Sequence, residues 1–545
     1  MIYMKILGIS PEHDSSTCLL EDGIIKYFMK EERITRVKRD HYPVRTVSEL
    51  VKDNDIDYIA WCSPSKNDGT FINFSKECFR DKSFKDIFNF SDKHHLTHAS
   101  LAFYNSGFNK AAVIVVDRNG SKLHNSCRES ESIFIASYPC VFEEVYKSFW
   151  IVDNSAYEDI ANLRKDKPHC EIECRSMFGV VKTYETATSL IGQNALENGK
   201  TMGLAAYGDK DTDYPSLFSK DNIPTDYLFG HDLLHGNRMA VHQDLHQFRT
   251  LNVDKDNYKL YADYAWQVQK QTQEAVCKLI EKTIKRTGLK KICITGGYGL
   301  NVVANHFYAT RFPDVEFYFE PLADDSGNSI GGAMYVHRYV TQDPIIRPLK
   351  HTFFNGVNYS LDDVDGEKVS VADIANILSK GKSVAVYKGL SEAGPRALGN
   401  RSILFNPTLL DARDIVNKIK NREWYRPFAA MVLEEDAHKY FEMGNLKSNK
   451  FMTVSFPANQ YAINNIYGVL HVDNTCRIQT ISEEDGVIFE LLNEFKKITG
   501  HGVLLNTSFN IAGEPLVETP EDAINTLRNS PLDYVWFPEK NCVVN

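Results

Sequence analysis

Three stretches of the chain share one design: an apolar run long enough for a buried strand, then a turn of glycine or small polar residues. They are MKILGISPEHDSST (4–17), AAVIVVDRNGS (111–121) and KICITGGYGLN (291–301). Each reads as a strand followed by a polar or glycine turn. Such runs predict an α/β chain in which polar groups at the strand ends face a ligand. The stretch around 260–286, YADYAWQVQKQTQEAVCKLIEKTIKRT, repeats apolar residues at helical spacing and reads as one packing helix.

A chain of 545 residues exceeds what one hydrophobic core supports, so two or three domains are expected. The connector-like TQDPIIRPLKHTFFNG precedes a new strand–helix pattern, VADIANILSKGKSVAVYKG at 371–389, which puts the boundary near 350 and the domains at 1–350 and 351–545. A net charge of −10 without a long basic run disfavours a nucleic-acid polymer as partner and suits a small anionic substrate held in a local basic pocket. The start MIYMKILGIS does not resemble a signal peptide, and no apolar run approaches the ~20 residues that span a bilayer, so no membrane partner and a cytoplasmic location are expected. Eleven scattered cysteines suit reduced thiols. In HCEIEC, Cys170 and Cys174 with His169 would be half a metal site, but no second cysteine pair completes it, and a surface segment is the better reading.

The segment KHHLTHASLAFYNSGF carries His94 and His98 at i and i+4, which in a helix places both imidazoles on one face. Asp117 closes the run AAVIVV, and ADDSGNSIGGAMY (323–335) adds Asp324 and Asp325. An HxxxH alone often serves ordinary helix packing; with these acids it becomes a candidate metal site with open coordination positions. His95 reads as a supporting or packing residue. The turn before Ile330 looks like a helix start whose amides could hold an anion. The pairs Gly296–Gly297 and Gly331–Gly332, with Gly199 and Gly203, allow close backbone approach to a phosphate or nucleotide, and Lys200 and Asn301 stand beside them. Several strand-to-turn elements in one segment suggest the two-lobed actin and sugar-kinase type of fold; GxxxxGK[ST] is absent, which disfavours a P-loop enzyme.

Towards the C-terminus, Arg396 and Arg401 in GPRALGNRS, Arg426 in NREWYRPFA and Arg477 in HVDNTCRIQT recur in turn-rich surroundings. Guanidinium forks donate paired hydrogen bonds to phosphate or carboxylate oxygens, so converging arginines predict an oxyanion site, although any one of them would more simply form a surface ion pair. LLNTSFNIAGEP (504–515) adds the neutral donors Asn506, Thr507, Ser508 and Asn510 after an apolar strand.

Taken together these motifs resemble the carbamoyltransferase family that includes the nodulation-factor and antibiotic O-carbamoyltransferases. The resemblance spans nearly the whole chain: HDSSTCLLEDG, EERITRVKRDHYP, HHLTHAS, NGKTMGLAAYG, GGYGLNVVAN, DDSGNSIGGA, GPRALGNRSIL, YRPFAAMVL, HVDNTCRIQT and LNTSFNIAGEPLVETPEDAI occur in order. It implies an N-terminal actin-like domain similar to the tRNA threonylcarbamoyl-transfer protein and a C-terminal domain similar to threonylcarbamoyl-AMP synthase (YrdC-like). It further implies an ATP-dependent enzyme that makes carbamoyl-adenylate from carbamoyl phosphate and ATP in the C-terminal domain and transfers the carbamoyl group to a hydroxyl in the N-terminal one. Carried over residue by residue, Arg396, Lys420, Arg426, Arg477, Asn506 and Ser508 hold carbamoyl phosphate, with Arg401 less firmly placed. Gly199, Lys200, Gly203, Gly296, Gly297 and Asn301 line the nucleotide. His94, His98, Asp117 and Asp325 ligate a divalent metal, iron in family members, that binds the adenylate phosphate. His13, in the EHDSS turn, is the candidate base for the acceptor hydroxyl.

The chain departs from the family pattern in two places. RNGSKLHNS follows Asp117 where a glycine is usual, and GGYGLN carries Tyr298 and Gly299 where small aliphatic residues are usual. Both point to an unusual acceptor, which is a small molecule or a nucleotide. Family members are often dimers, so a homodimer is an expected partner. The alternatives are a tRNA threonylcarbamoyladenosine-type modification enzyme, which the acidic balance disfavours, and a non-catalytic actin-like binding module, which has no need of an arginine-lined second domain.

Overall fold

The computed structural model describes residues 4–64, 74, 76–80, 82–124, 127–151, 154–175, 179–209, 217, 218, 253 and 255–545. Its contacts divide the chain into two compact units. The first comprises 1–12, 16–25 and 42–349; the second comprises 13–15, 26–41 and 350–545. Two short N-terminal pieces, one containing His13, thus pack with the C-terminal unit.

In the first unit, strand Lys5–Ser10 runs antiparallel to Ser16–Glu21 and parallel to Tyr58–Trp61, which is parallel to Asp86–Asn89. A further sheet is centred on Lys110–Val116. That strand is antiparallel to Cys127–Ser137 and parallel to Lys291–Thr295, with Val141–Ile151, Glu171–Arg175 and Glu316–Phe319 outside them. Helix His94–Ser106 packs on Lys110–Val116 and Lys291–Thr295, helix Asn328–Thr341 packs on the Lys5–Ser10 sheet, and the two helices pack on each other. A helix enclosed on all sides has no polar face, and His94–Ser106 is buried at all but Leu96 and Ser106. The close packing requires glycine: a Cβ at Gly331 would lie 2.1 Å from the Thr97 carbonyl oxygen, and one at Gly332 would lie 2.3 Å from Cys62 Sγ. The glycine pair that reads in sequence as a phosphate approach is therefore occupied by helix packing.

The second unit is built on a nine-stranded sheet. Its central strands are Tyr534–Phe537, Val384–Tyr387, Arg401–Phe405, Val503–Ser508, Ala429–Leu433 and Thr475–Ile481, in that spatial order. Successive side chains of a strand point to opposite faces. Val384 and Val386 join a core with Leu378, Leu491 and Phe495, whereas Ala385 and Tyr387 join one with Ile419, Ala523 and Leu527. Both faces carry helices, which explains the uninterrupted apolar run of SVAVY. The fold class is thus mixed α/β throughout, as expected.

HCEIEC proves to enter a strand, Glu171–Arg175, parallel to Val141–Ile151, with Cys170 buried, which corrects the surface-segment reading. No described cysteine forms a disulfide, and among the described residues no helix is long and apolar enough to cross a membrane.

Candidate metal centre and anion site

Helix His94–Ser106 begins with the His94 amide donating to Ser121 Oγ at 2.8 Å, and its first turn brings His94 and His98 to one face with ring centroids 4.9 Å apart. Strands Lys110–Val116 and Lys291–Thr295 are parallel and in register, Val115 opposite Thr295, so both end at the same edge. Asp117 emerges there, where its Oδ1 accepts from the Gly297 amide at 3.0 Å. The chain must turn tightly against its neighbour: Gly296 has φ +82° and a Cβ there would lie 2.5 Å from the Val116 carbonyl oxygen.

Asp325 arrives on the turn before helix Asn328–Thr341, pinned by Ser10 Oγ on its carbonyl at 2.9 Å and by Ser16 Oγ on the Ser326 carbonyl at 2.7 Å. Asp324 instead accepts from the Ser326 hydroxyl, so Asp325 is the acid facing the histidines. His98 Nε2 lies 3.2 Å from Asp325 Oδ1, and His94 Nε2 lies 3.5 Å from the same atom and 3.7 Å from Asp117 Oδ2. One ligand atom from each of the four residues falls within 4.8 Å of all the others.

Three observations fit this set to a divalent cation. His94 is buried, yet neither ring nitrogen has a hydrogen-bond partner among the described residues. Burial alone would lower its basicity, but the two carboxylates overcome it and push the imidazole up to about 10. Conversely, burial and the Asp325 charge raise Asp117, and the two imidazoles outweigh both to hold it below the ordinary carboxylate range. Two imidazoles and two carboxylates suit a divalent transition ion, which would take the place of the proton that His94 otherwise needs. His95 points elsewhere, hydrogen-bonded to Ser132 Oγ at 2.8 Å and 3.6 Å from Glu129, whose carboxylate also meets Lys147 at 2.7 Å.

The residues expected around a nucleotide have mixed surroundings. Gly199, Lys200 and Gly203 share helix Asn198–Ala205; a Cβ at Gly199 would enter open space, and Lys200 Nζ lies 2.9 Å from Glu197. Asn301 caps helix Val302–Arg311 through the Ala304 amide and exchanges hydrogen bonds with Gln269, which gives it a structural task. Tyr298 turns inward, its hydroxyl 2.9 Å from Thr272 Oγ1.

In the second unit, the Arg396 segment is held in a cradle. Glu392, fully buried, accepts from the amides of Leu398, Asn400 and Arg401 at 2.7, 3.0 and 3.2 Å on one oxygen. Gln479 donates to the Leu398 carbonyl at 2.8 Å, and Asn506 to the Ala397 carbonyl at 3.0 Å. Arg396 itself is half-exposed, whereas Arg401 is buried and donates to the carbonyls of Lys388, Asn400, Gly389 and Glu518 over the ring of Tyr387. Two arginines that look alike in GPRALGNRS thus have different tasks.

Lys420 braces the Ser508–Asn510 turn, donating to Ser508 Oγ at 3.1 Å and Asn510 Oδ1 at 2.7 Å. Ala429 is opposite both Arg477 and Asn506 in the sheet, which sets those two in one row. Arg426 lies 3.5 Å from Glu423. Burial, and then the charges of Arg422, Arg426 and Lys38, hold Lys420 well below its ordinary value. Arg422 is lowered in the same way by burial, Arg426 and Arg477, and Arg477 is lowered to about 10 by burial and Arg426. Cations coupled this closely, with Glu423 and Glu514 the acids that act on them, make a candidate anion site. Sequence reasoning missed Arg422, although it stands in the same NREWYRPFA segment as Arg426, and missed Lys38 and Glu392.

Two family models match the chain: the carbamoyltransferase N-terminus over residues 47–334 and the carbamoyltransferase C-terminus over 375–544. The nodulation protein NolNO of Sinorhizobium fredii is 26% identical over 569 residues, covering 96% of this chain and 77% of that protein. NolO of Bradyrhizobium diazoefficiens is 28% identical over 466 residues, covering 81% and 76%. Among solved structures, full-length HypF in a phosphate- and nucleotide-bound form aligns with a TM-score of 0.37 at 13% identity, over 62% of this chain and 56% of that one.

Proposed function

The chain belongs to the carbamoyltransferase family, and from that premise we propose that it is an ATP-dependent O-carbamoyltransferase. In this reading the first unit is actin-like and the second YrdC-like. The second unit consumes carbamoyl phosphate, water and ATP and forms carbamoyl-adenylate, phosphate and pyrophosphate. The observation that carries the assignment is the crowding of Lys420, Arg422 and Arg477 with Arg426, whose charge adds to burial in lowering all three. Unpaired by an anion such a group is destabilising, so its retention points to a highly charged substrate. Arg396, presented by the Glu392 cradle, completes the set for carbamoyl phosphate, with Lys420 holding Ser508 and Asn510 in place and Asn506 fixing the loop at Ala397.

The first unit then moves the carbamoyl group from the adenylate to a hydroxyl. A divalent cation held by His94, His98, Asp117 and Asp325, which we assign as iron(II), would neutralise charge on the adenylate phosphate. The Gly297 amide keeps Asp117 oriented, and the Ser10 and Ser16 hydroxyls fix the turn that presents Asp325. His13 is assigned as the base that takes the acceptor's proton.

Pyrophosphate release from ATP, measured without acceptor, tests the adenylating half-reaction. Release should require carbamoyl phosphate and fall about ten- to a hundredfold in Arg477→Ala, the worth of one charge-assisted contact. Release indifferent to carbamoyl phosphate sinks the assignment. Undiminished transfer in His13→Ala would remove that residue from the mechanism.

A further inference from the structure

A second group of cations lies in the first unit, beside the metal centre. Arg118 directly follows Asp117. Its Nε is 2.9 Å from Glu185 Oε2, and Lys182 Nζ, one helical turn before Glu185 on helix Val180–Leu190, is 3.4 Å from the same oxygen. The carboxylate is sealed, with its side chain 3% exposed, whereas Arg118 and Lys182 keep 33% and 22% of theirs in reach of solvent. Burial comes first in lowering Lys182, and the charges of Arg118 and Arg128 add to it. The acids that act on these cations are Glu185 and Glu12, and Glu12 also accepts from Ser63. Burial raises the Glu185 carboxyl even with Arg118 and Lys182 beside it. Two cations on one sealed carboxylate, each with part of its side chain exposed, present an anion seat.

We propose that Arg118 and Lys182 hold a phosphoryl group on the acceptor, so that the substrate carbamoylated at this centre is a phosphorylated hydroxyl compound of the sugar-phosphate or nucleotide class. This rests on the carbamoyl-transfer reading above. The acceptor's hydroxyl oxygen bonds to the carbamoyl carbon of the adenylate, the bond from that carbon to the AMP phosphate oxygen breaks, AMP leaves with the electron pair, and the hydroxyl proton passes to the base. The cation seat fixes the acceptor by its phosphate, at a point separate from the adenylate's own phosphate.

Inorganic phosphate is the probe, titrated calorimetrically at low salt into full-length Arg396→Ala/Arg477→Ala protein, in which the arginine site of the second unit is disabled. Phosphate should bind, bind at least tenfold more weakly when Arg118→Ala or Lys182→Met is added, and bind unchanged in saturating AMP. Binding that ignores both added substitutions overturns the seat. Binding displaced by AMP overturns the acceptor assignment, because the cations then serve the adenylate. Two variants at different positions, each checked for an unchanged melting temperature, guard against misfolding at either one. Carbamoyl phosphate-dependent pyrophosphate release by the unsubstituted chain is measured alongside. Its absence defeats the carbamoyl-transfer reading, whereas the titration judges the seat by itself.

Discussion

Replacing Arg401 with methionine should open the middle of the second unit's sheet, whereas the same change at Arg396 should leave the sheet intact. The guanidinium of Arg401 is fully buried and spends its donors at 2.7 Å on Lys388, 3.0 Å on Asn400, 3.0 Å on Gly389 and 3.3 Å on Glu518, all backbone carbonyls, with its carbon 3.7 Å from the centre of the Tyr387 ring. Methionine fills much of the volume but donates nothing, so several buried carbonyls lose their partner. Breaking one side of such a buried charged network costs about 3–5 kcal/mol. At about 1.4 kcal/mol per factor of ten, local opening becomes roughly a hundred- to a few thousandfold more frequent. Hydrogen exchange read by mass spectrometry reports this directly in peptides covering Val384–Tyr387 and Arg401–Phe405. Arg396→Met, on a half-exposed side chain, should change the same peptides by less than about tenfold. Equal protection in Arg401→Met and the unsubstituted chain, or equal losses in the two variants, would refute the division of labour between these arginines.

Three other outcomes are expected. The unsubstituted protein should retain a divalent metal through gel filtration, measured by plasma mass spectrometry, and His98→Ala and Asp117→Asn should each lose it; retention in both would mean the ion sits elsewhere. Gly331→Ala should sharply lower the melting temperature, because its Cβ would stand 2.1 Å from the Thr97 carbonyl oxygen, whereas Gly199→Ala, entering open space in a helix, should stabilise by about 0.5 kcal/mol. Burial pushes the Glu320 carboxyl up to about 7 despite donors from Leu322 and Asn105. A carboxyl raised in the fold contributes stability that is full below its unfolded value near 4.5 and is lost as pH climbs to about 7, so Glu320→Gln should flatten the melting temperature across that window.

The convergence of the two histidines with the acids was legible because its signals are local: an i, i+4 histidine pair and acids at the ends of apolar runs. What stayed hidden was which of two adjacent acids turns inward. That depends on Ser326 occupying Asp324 and on Ser10 holding the Asp325 carbonyl, contacts made across more than 300 residues in the second case. In GPRALGNRS the two arginines have the same type and similar neighbours, and only the surroundings separate them. Arg401 begins a central strand beneath four carbonyls, whereas Arg396 rides on a loop that Glu392 holds from below. Gly331 and Gly332 misled for a related reason, since a glycine permits close approach without naming what approaches.

The apolar strand runs, the helical spacing and the ordered motifs determined by themselves that this is a mixed α/β carbamoyltransferase-family chain, because those properties depend on residue type and short-range spacing. Tertiary structure alone decided the convergence of Lys38 with Lys420, Arg422 and Arg426, and the packing of residues 13–15 and 26–41 with the C-terminal unit. Electrostatic coupling and burial act through space at distances of a few ångströms, and residues hundreds of positions apart acquire such distances only when the chain has folded.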